Sequence, residues 1–312
     1  MSPGSRDFRP PFAKRTPAAE SPGKAPGRRI LRCMESTAAA VRSERILRFE
    51  AGVFGRREDR VSIEEPLEIR VGSTTLAVTM RTPGHDFELA AGWLLAEGVV
   101  RRPEEIVRIE HCREVRSPEE EGNVVLVHTT EPAGAHVDRA RRLSLTSSSC
   151  GLCGKGSIES IRGQFPPPDP RARFEAGVLG RLPEALRAQQ ASFAETGGLH
   201  AAGIFTLSGE LLVCREDIGR HNAVDKAIGL LFRDGRLPLS ETILLVSGRA
   251  SFEIVQKALA AGIPIVAAVS APSSLAVDLA RSSGMALAGF LREGGFNLYW
   301  GEERLSGPST AQ

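Results

Sequence analysis

The sequence predicts an α/β protein, with a three-layer, largely parallel core in its C-terminal half and a smaller α+β subdomain before it. Three observations carry this. The runs TILLV, IPIVAAVS and MALAGFLR are short and almost wholly apolar, as strands buried on both faces are. Between them lie FEIVQKALAAG and SLAVDLARSSG, whose apolar residues recur at helical spacing and which both end on glycine. Strands alternating with helices in this way stack as helix, sheet and helix.

Composition narrows the class further. The 312 residues are 41% hydrophobic and 25% charged, enough to bury a sizeable core without disulfide staples. A net charge of +2 supplies no strong basic field, so nucleic acid is not expected as a partner. No apolar run reaches the roughly 18 residues of a membrane helix, so no membrane association is expected. Residues 1–30 are broken by Pro3, Pro10, Pro11, Pro17, Pro22 and Pro26 and lack the apolar centre of a secretory signal. The five cysteines, irregularly spaced apart from one CxxC, favour a reducing cytoplasm over a disulfide framework.

Taken in order, residues 1–44 are rich in Pro, Arg, Ser and Ala and read as a disordered arm, within which Met34 offers an alternative start. An α+β subdomain is expected over 45–145. There PLEIRVGSTTLAVTMRT gives two β-rich runs around Gly72-Ser73, a hairpin. DFELAAGWLLAEG follows as a helix stopped by Gly98, and strands are expected over Ile106–Val115 and Val124–His128. Residues 146–170 hold the CxxC and QFPPPDP, whose prolines enforce a loop, and read as a mobile loop and hinge. The core is expected over 171–304. It opens with GIFTLSGELLVCRED, a hairpin turning at Ser208-Gly209, and NAVDKAIGLLF, an amphipathic helix, and a tail of 305–312 closes the chain.

In open α/β sheets, ligands favour the crevice beyond the carboxyl ends of the strands. Three segments fall there: REDIGRHN (215–222), SGRAS (247–251) and SAPSS (270–274). Each leads into a helix N-terminus, where backbone amides and the helix dipole attract phosphate, and Arg249 adds a bidentate donor. Each loop by itself also reads as an ordinary turn whose Ser or Gly caps a helix. Neither a Walker loop nor a GxGxxG after a strand is present. His221 and Asp217 offer an acid–base pair, although a lone His at a helix start is more commonly a capping or packing residue. His200, in TGGLHAAG, is equally two-sided. Ala202 stands where a zinc deaminase would need its general acid/base Glu, which argues against deamination.

The stretch SSSCGLCGKGSIES carries Cys150 and Cys153. A structural zinc site needs four ligands, and neither a second CxxC nor an HxxxH is present. Cys214, His200 and His221 would complete one only by tertiary coincidence, so no metal ligand is assigned. A thioredoxin-like dithiol would sit at a tight strand-to-helix turn, whereas serines and glycines here suggest a mobile, exposed loop. Lys155 beside the pair favours the thiolate. An exposed, low-pKa thiol on a flexible arm suits the carriage of a transferable group, but the spacing leaves all three readings open.

Six stretches in order resemble the formate dehydrogenase accessory sulfurtransferase (FdhD) family. They are PLEIRVGSTTLAVTMRTPGHDFELAAGWLLAEG, SSSCGLCGKGSIES, TGGLHAAGIF, EDIGRHNAVDKAIG, SGRASFEIVQKALAAGIPIVAAVSAPSSLAVDLA and GFLREGGFNLY, and the resemblance extends over roughly Ile46 to Tyr299. The resemblance implies a cytidine-deaminase-like α/β core without that chemistry. It implies a sulfurtransferase that takes persulfide sulfur from a cysteine desulfurase and sulfurates Mo-bis(molybdopterin guanine dinucleotide), bound as cargo, for formate dehydrogenase. By the family's pattern Cys150 carries the persulfide and Cys153 is the second thiol. Its cofactor-binding segment falls on FLREGG, namely Phe290, Leu291, Arg292, Glu293, Gly294 and Gly295. Two pyrophosphates on that cargo would call for Arg249 and Arg292. The alternatives are a non-catalytic chaperone that shields the cofactor and docks it to formate dehydrogenase, and a zinc-stabilised nucleotide-binding module. A homodimer is compatible with the reading, although the sequence does not show the oligomeric state.

Overall fold

Ten residues of β1 (Val41–Glu50) pair antiparallel with ten of β2 (Val53–Ser62), from Val41–Ser62 at the base to Glu50–Val53 at the tip. The turn between them puts Ala51 and Gly52 at φ 50° and 83°, the left-handed pair that suits the twist of a two-residue hairpin. The computed structural model describes residues 40–113, 121–130 and 163–306, with Met1 and Val137. Apart from Met1, these belong to the unit that runs from Leu31 to Gln312. Strand structure thus already begins at Val41.

The first half continues with β3 (Glu65–Val71) and β4 (Thr74–Arg81), joined at Gly72-Ser73 as the sequence predicts. Helix α1 (Asp86–Ala96) ends where Gly98 takes φ 69° and its N–H reaches the Leu95 carbonyl. After β5 (Ile106–His111) and β6 (Val124–Thr129), a four-stranded sheet of order β4-β3-β6-β5 is complete. The strand expected to run to Val115 is seen to His111, and residues 114–120 lie outside the described residues.

The second half opens with β7 (Phe174–Glu175), α2 (Ala176–Arg187) and α3 (Ala191–Thr196). Next come β8 (His200–Thr206), β9 (Leu211–Asp217), α4 (Arg220–Arg233), β10 (Thr242–Val246) and α5 (Phe252–Ala260). The chain then forms β11 (Ile265–Ala268), α6 (Ser274–Ser283), β12 (Ala286–Arg292) and β13 (Gly295–Trp300). A short β14 (Leu305–Ser306) returns to pair with β7.

Six strands form the central sheet in the order β13-β12-β11-β10-β8-β9. The expectation of a largely parallel sheet is corrected: only β10–β11 and β11–β12 are parallel, while β8 runs against both β9 and β10, and β13 against β12. The reason is connection length. Helical crossovers allow parallel neighbours, whereas the tight turns after Thr206 and Arg292 can only make hairpins. The apolar runs do signal burial on both faces. Ile204, Leu244, Val246 and Val266 face Ile228, Val255 and Leu279 of α4, α5 and α6 on one side. Phe205, Ile243, Leu245 and Ile265 face Val178, Leu179, Leu182 and Leu186 of α2 on the other.

Helix α1 lies against α4 so closely that a β-carbon on Gly92 would overlap the Asp225 carbonyl, and one on Gly229 the Glu88 carbonyl. Buried ion pairs lock this crossing. Arg81 meets Asp86 at 3.0 Å, Arg215 meets Glu88 at 2.6 Å, Lys226 meets Asp217 at 2.7 Å and Lys257 meets Asp225 at 2.8 Å. A buried charge left unpaired is strongly unfavourable, so the Arg215–Glu88 pair, which alone among these four joins the two halves, helps fix their register.

Candidate functional site

Because β8 reverses twice, β9 runs in the same direction as β10, β11 and β12, and all four carboxyl ends reach one rim. REDIGRHN, SGRAS, SAPSS and FLREGG therefore meet, as the rule for open sheets predicts. Backbone bonds stitch the loops together. Ser247 N–H reaches the Ala201 carbonyl at 2.9 Å, Ser270 N–H the Gly248 carbonyl at 3.3 Å, and Phe290 N–H the Ser270 carbonyl at 3.2 Å.

Helix caps divide the loops. Ser273 Oγ caps α6 by accepting from Ala276 N–H at 3.3 Å, the ordinary turn chemistry. Ser251 Oγ instead lies 3.0 Å from His221 Nε2. The proposed pairing of His221 with Asp217 is not formed. Asp217 is fully buried, bound to Lys226 and accepting from the N–H groups of Thr82 and Gly219, and so is structural. His221 faces Ser251 and Glu253. Burial, reinforced by Lys257 and Arg220, pushes its imidazole down to about 4, so it is neutral near pH 7.

Beside the rim, a cavity of about 470 Å³ opens between α2–α3 and the sheet edge. Leu186, Phe193, Leu199 and Val269 give it apolar walls, and Arg187, Gln190, His200 and Ser247 its polar groups. Gln190 is 5% exposed, and its Nε2 has no hydrogen-bond partner among the described residues. An unmet buried donor is costly, so it marks where a ligand acceptor would be welcome. The Arg187 guanidinium lies 3.9 Å from the centre of the Phe193 ring. Glu216 of β9 holds α3 in place by accepting from the N–H groups of Ser192 and Phe193. The His200 imidazole is lowered chiefly by burial and then by Arg220, which favours its uncharged form.

Arg249 and Arg292 are both exposed at this rim. Arg249 has no hydrogen-bond or ion-pair partner among the described residues. Arg292 Nη1 donates to the carbonyls of Val269 at 2.6 Å and Leu291 at 2.7 Å. Glu293, Gly294 and Gly295 form the exposed turn into β13, and Phe290 stands 42% exposed at φ 55°. A left-handed φ is costly for an aromatic residue and is kept only where surrounding structure imposes it. The Leu291 side chain is fully buried in the core, so that residue offers the rim only its backbone.

Cys150, Cys153 and Lys155 lie outside the described residues. Their segment rejoins the described chain at Gly163, where Gln164 Nε2 donates to the Glu97 carbonyl at 3.1 Å and Phe165 enters the core. Among the described residues no three His, Cys, Asp or Glu side chains are grouped to hold a metal, and Cys214 is fully buried. The sequence reading missed Arg187, Gln190 and Phe193. The signal for α2 was present in Val178, Leu179, Leu182 and Leu186, but Pro183 inside the helix disguised it.

Residues 62–306 match the model of the FdhD/NarQ family. The chain is 50% identical over 266 residues to the sulfur carrier protein FdhD of Streptomyces avermitilis, covering 84% of this chain and 94% of that one. It is 47% identical over 281 residues to that of Mycobacterium tuberculosis, covering 86% and 99%. It is 44% identical over 284 residues to that of Anaeromyxobacter dehalogenans, covering 86% and 94%. The fold resembles the crystal structure of a candidate formate dehydrogenase accessory protein from Desulfotalea psychrophila. The TM-score is 0.67 at 23% identity, over 86% of this chain and all of that one.

Proposed function

The chain belongs to the FdhD/NarQ family, and from that premise we propose that it is a sulfur carrier in the maturation of formate dehydrogenase. The observation that carries this is the SSSCGLCGKGS stretch, which falls within the matched residues 62–306 of a chain about half identical to named sulfur carriers.

In the finer reading, Cys150 as thiolate attacks the terminal sulfur of a cysteine desulfurase persulfide. A new S–S bond forms on Cys150, and the desulfurase thiolate leaves. Attack by the Cys153 thiolate on the inner sulfur of Cys150 then makes a Cys150–Cys153 disulfide and expels hydrosulfide. The two electrons that reduce the sulfur come from the thiol pair, so the step needs no outside reductant until the disulfide is reset. The acceptor is Mo-bis(molybdopterin guanine dinucleotide), the substrate of the reaction. Arg249, Arg292 and the rim helix N-termini suit its pyrophosphates, and the unmet Gln190 donor suits a heterocyclic acceptor. The cysteine desulfurase and formate dehydrogenase are the protein partners, and the cytoplasm is the compartment. No helix among the described residues is long and apolar enough to cross a membrane.

Complementation tests the reading. In cells lacking their own family member, the intact chain restores formate dehydrogenase activity and Cys150→Ala does not. Full restoration by Cys150→Ala would remove the persulfide role.

A further inference from the structure

The segment that carries Cys150 and Cys153 departs at Thr130 and returns at Gly163, and both ends are fastened to one short stretch. Thr130 N–H donates to the Glu105 carbonyl at 3.0 Å, and Gln164 Nε2 donates to the Glu97 carbonyl at 3.1 Å. Residues 97–105 therefore bridge the two ends of the CxxC segment. The bridge is well anchored. Val99 and Val100 are buried. Around the 3₁₀ turn Pro103–Glu105, Glu105 Oε2 accepts from Arg101 N–H at 2.7 Å and Arg102 N–H at 3.4 Å.

This stretch and the start of β5 turn a cationic layer to solvent. The Arg102 side chain is 76% exposed and its Glu105 partner 16%, while Arg108 is 61% exposed and its Glu110 partner 32%. Glu110 is also shared with His128, 3.0 Å away. Arg101 adds a third exposed guanidinium, and Glu104 is the one exposed carboxylate of residues 97–110. A bulge in β5 supplies the apolar part. Ile106 opposes Thr129 and Arg108 opposes His128, so Val107 is the extra residue and stands 67% exposed. Among the described residues no strand pairs with the outer edge of β5, and the bulge blunts that edge, so the surface offers side chains and not a backbone template. A lone exposed valine is ordinary. Flanked by guanidiniums beside the fastened ends of the CxxC segment, Val107 becomes an apolar anchor with a charged rim.

Persulfide transfer brings the donor sulfur to bonding distance of Cys150, which places the donor protein beside the points where that segment is fastened. None of these residues belongs to the rim loops or lines the 470 Å³ cavity, so the donor surface and the cargo site share no residue. Resting on the sulfur-carrier reading, we propose that Arg101, Arg102, Val107 and Arg108 form the docking surface for the cysteine desulfurase, which presents an apolar recess edged with carboxylates. Opposite charge across such a contact speeds association and fixes orientation, and salt screens it.

Calorimetry with purified desulfurase and the full-length chain tests this. Arg101→Glu/Arg102→Glu/Arg108→Glu raises the dissociation constant by about tenfold or more, and Val107→Asp raises it separately. Glu104→Arg completes the cationic rim and lowers the constant by about threefold, an effect that damage to the fold would not mimic. Added salt weakens wild type more than the triple variant. Cysteine persulfide, a small donor that needs no docking, loads Cys150 equally in every variant, and GDP affinity is unchanged. An unaltered or tighter complex with the triple variant overturns the surface, as does a weaker one with Glu104→Arg. Wild type loaded by cysteine persulfide but not by the desulfurase overturns the surface alone. Wild type loaded by neither donor overturns the sulfur-carrier reading, and the surface with it.

Discussion

Arg292 is closed onto Val269. Its Nη1 donates to the Val269 carbonyl at 2.6 Å and so pins the turn after β12 to the rim end of β11. The bond uses one of five guanidinium donors and leaves others facing solvent. Arg292→Ala is therefore expected to lose both the pin and a phosphate donor, weakening GDP binding by about 1.5–3 kcal/mol in calorimetry. Arg292→Lys restores the charge without the planar fork and recovers binding only in part. Equal affinity for wild type and Arg292→Ala would take Arg292 out of the site.

Arg249 tests the same rim without a structural complication, because it is exposed and makes no hydrogen bond or ion pair among the described residues. Arg249→Ala is expected to weaken GDP binding by about 1.5–3 kcal/mol. Its unfolding free energy should stay within about 0.5 kcal/mol of wild type. A loss of stability with no loss of affinity would invert that assignment.

At the α1–α4 crossing, Gly92 touches the Asp225 backbone with no room for a methyl group. Gly92→Ala should destabilise the fold by about 1–3 kcal/mol or more through overpacking, although alanine is the better helix former. Urea denaturation measures this, and a stabilised variant would contradict the close approach.

Two buried carboxyls and the half-buried His221 contribute to the acid response. Burial raises the Glu88 carboxyl, but hydrogen bonds from His85 and Arg215 outweigh it and hold the group at about 2. Its stabilisation is complete above 4.5 and is lost as pH falls toward 2. His221, held down at about 4 against an ordinary 6.5, also makes folding less favourable as pH falls between those values, because the unfolded chain takes up the proton first. Asp225 acts oppositely. Raised to about 6 by burial, it favours the folded state at low pH and loses that advantage as pH rises from 3.8 through 6. His221→Gln should thus gain stability relative to wild type on going from pH 6.5 to 4. Urea titrations at the two pH values that gave an unchanged difference would refute this.

Much of the fold was legible because its signals are local. The apolar run Thr242–Val246, the helical spacing in FEIVQKALA and the stops at Gly98 and Gly262 need no tertiary information. Strand direction was not legible, since a run buried on both faces looks the same in either orientation. The β1–β2 ribbon was hidden because most of its side chains are exposed on both faces, leaving no alternation of apolar and polar residues. At the site, the convergence of SGRAS, SAPSS and REDIGRHN followed from the strand-end rule. The roles of FLREGG and the two cysteines came only through family resemblance. Gln190 could not be foreseen, because packing between α2 and α3 is what buries its amide.

The central claim is that Cys150 bears the transferable sulfur. Intact-protein mass spectrometry after incubation with a cysteine desulfurase and cysteine tests it most directly. Wild type should gain the mass of one sulfur atom, removable by a thiol reductant, and Cys150→Ala should gain none. Sulfur retained on Cys150→Ala, or absent from wild type, would contradict the account.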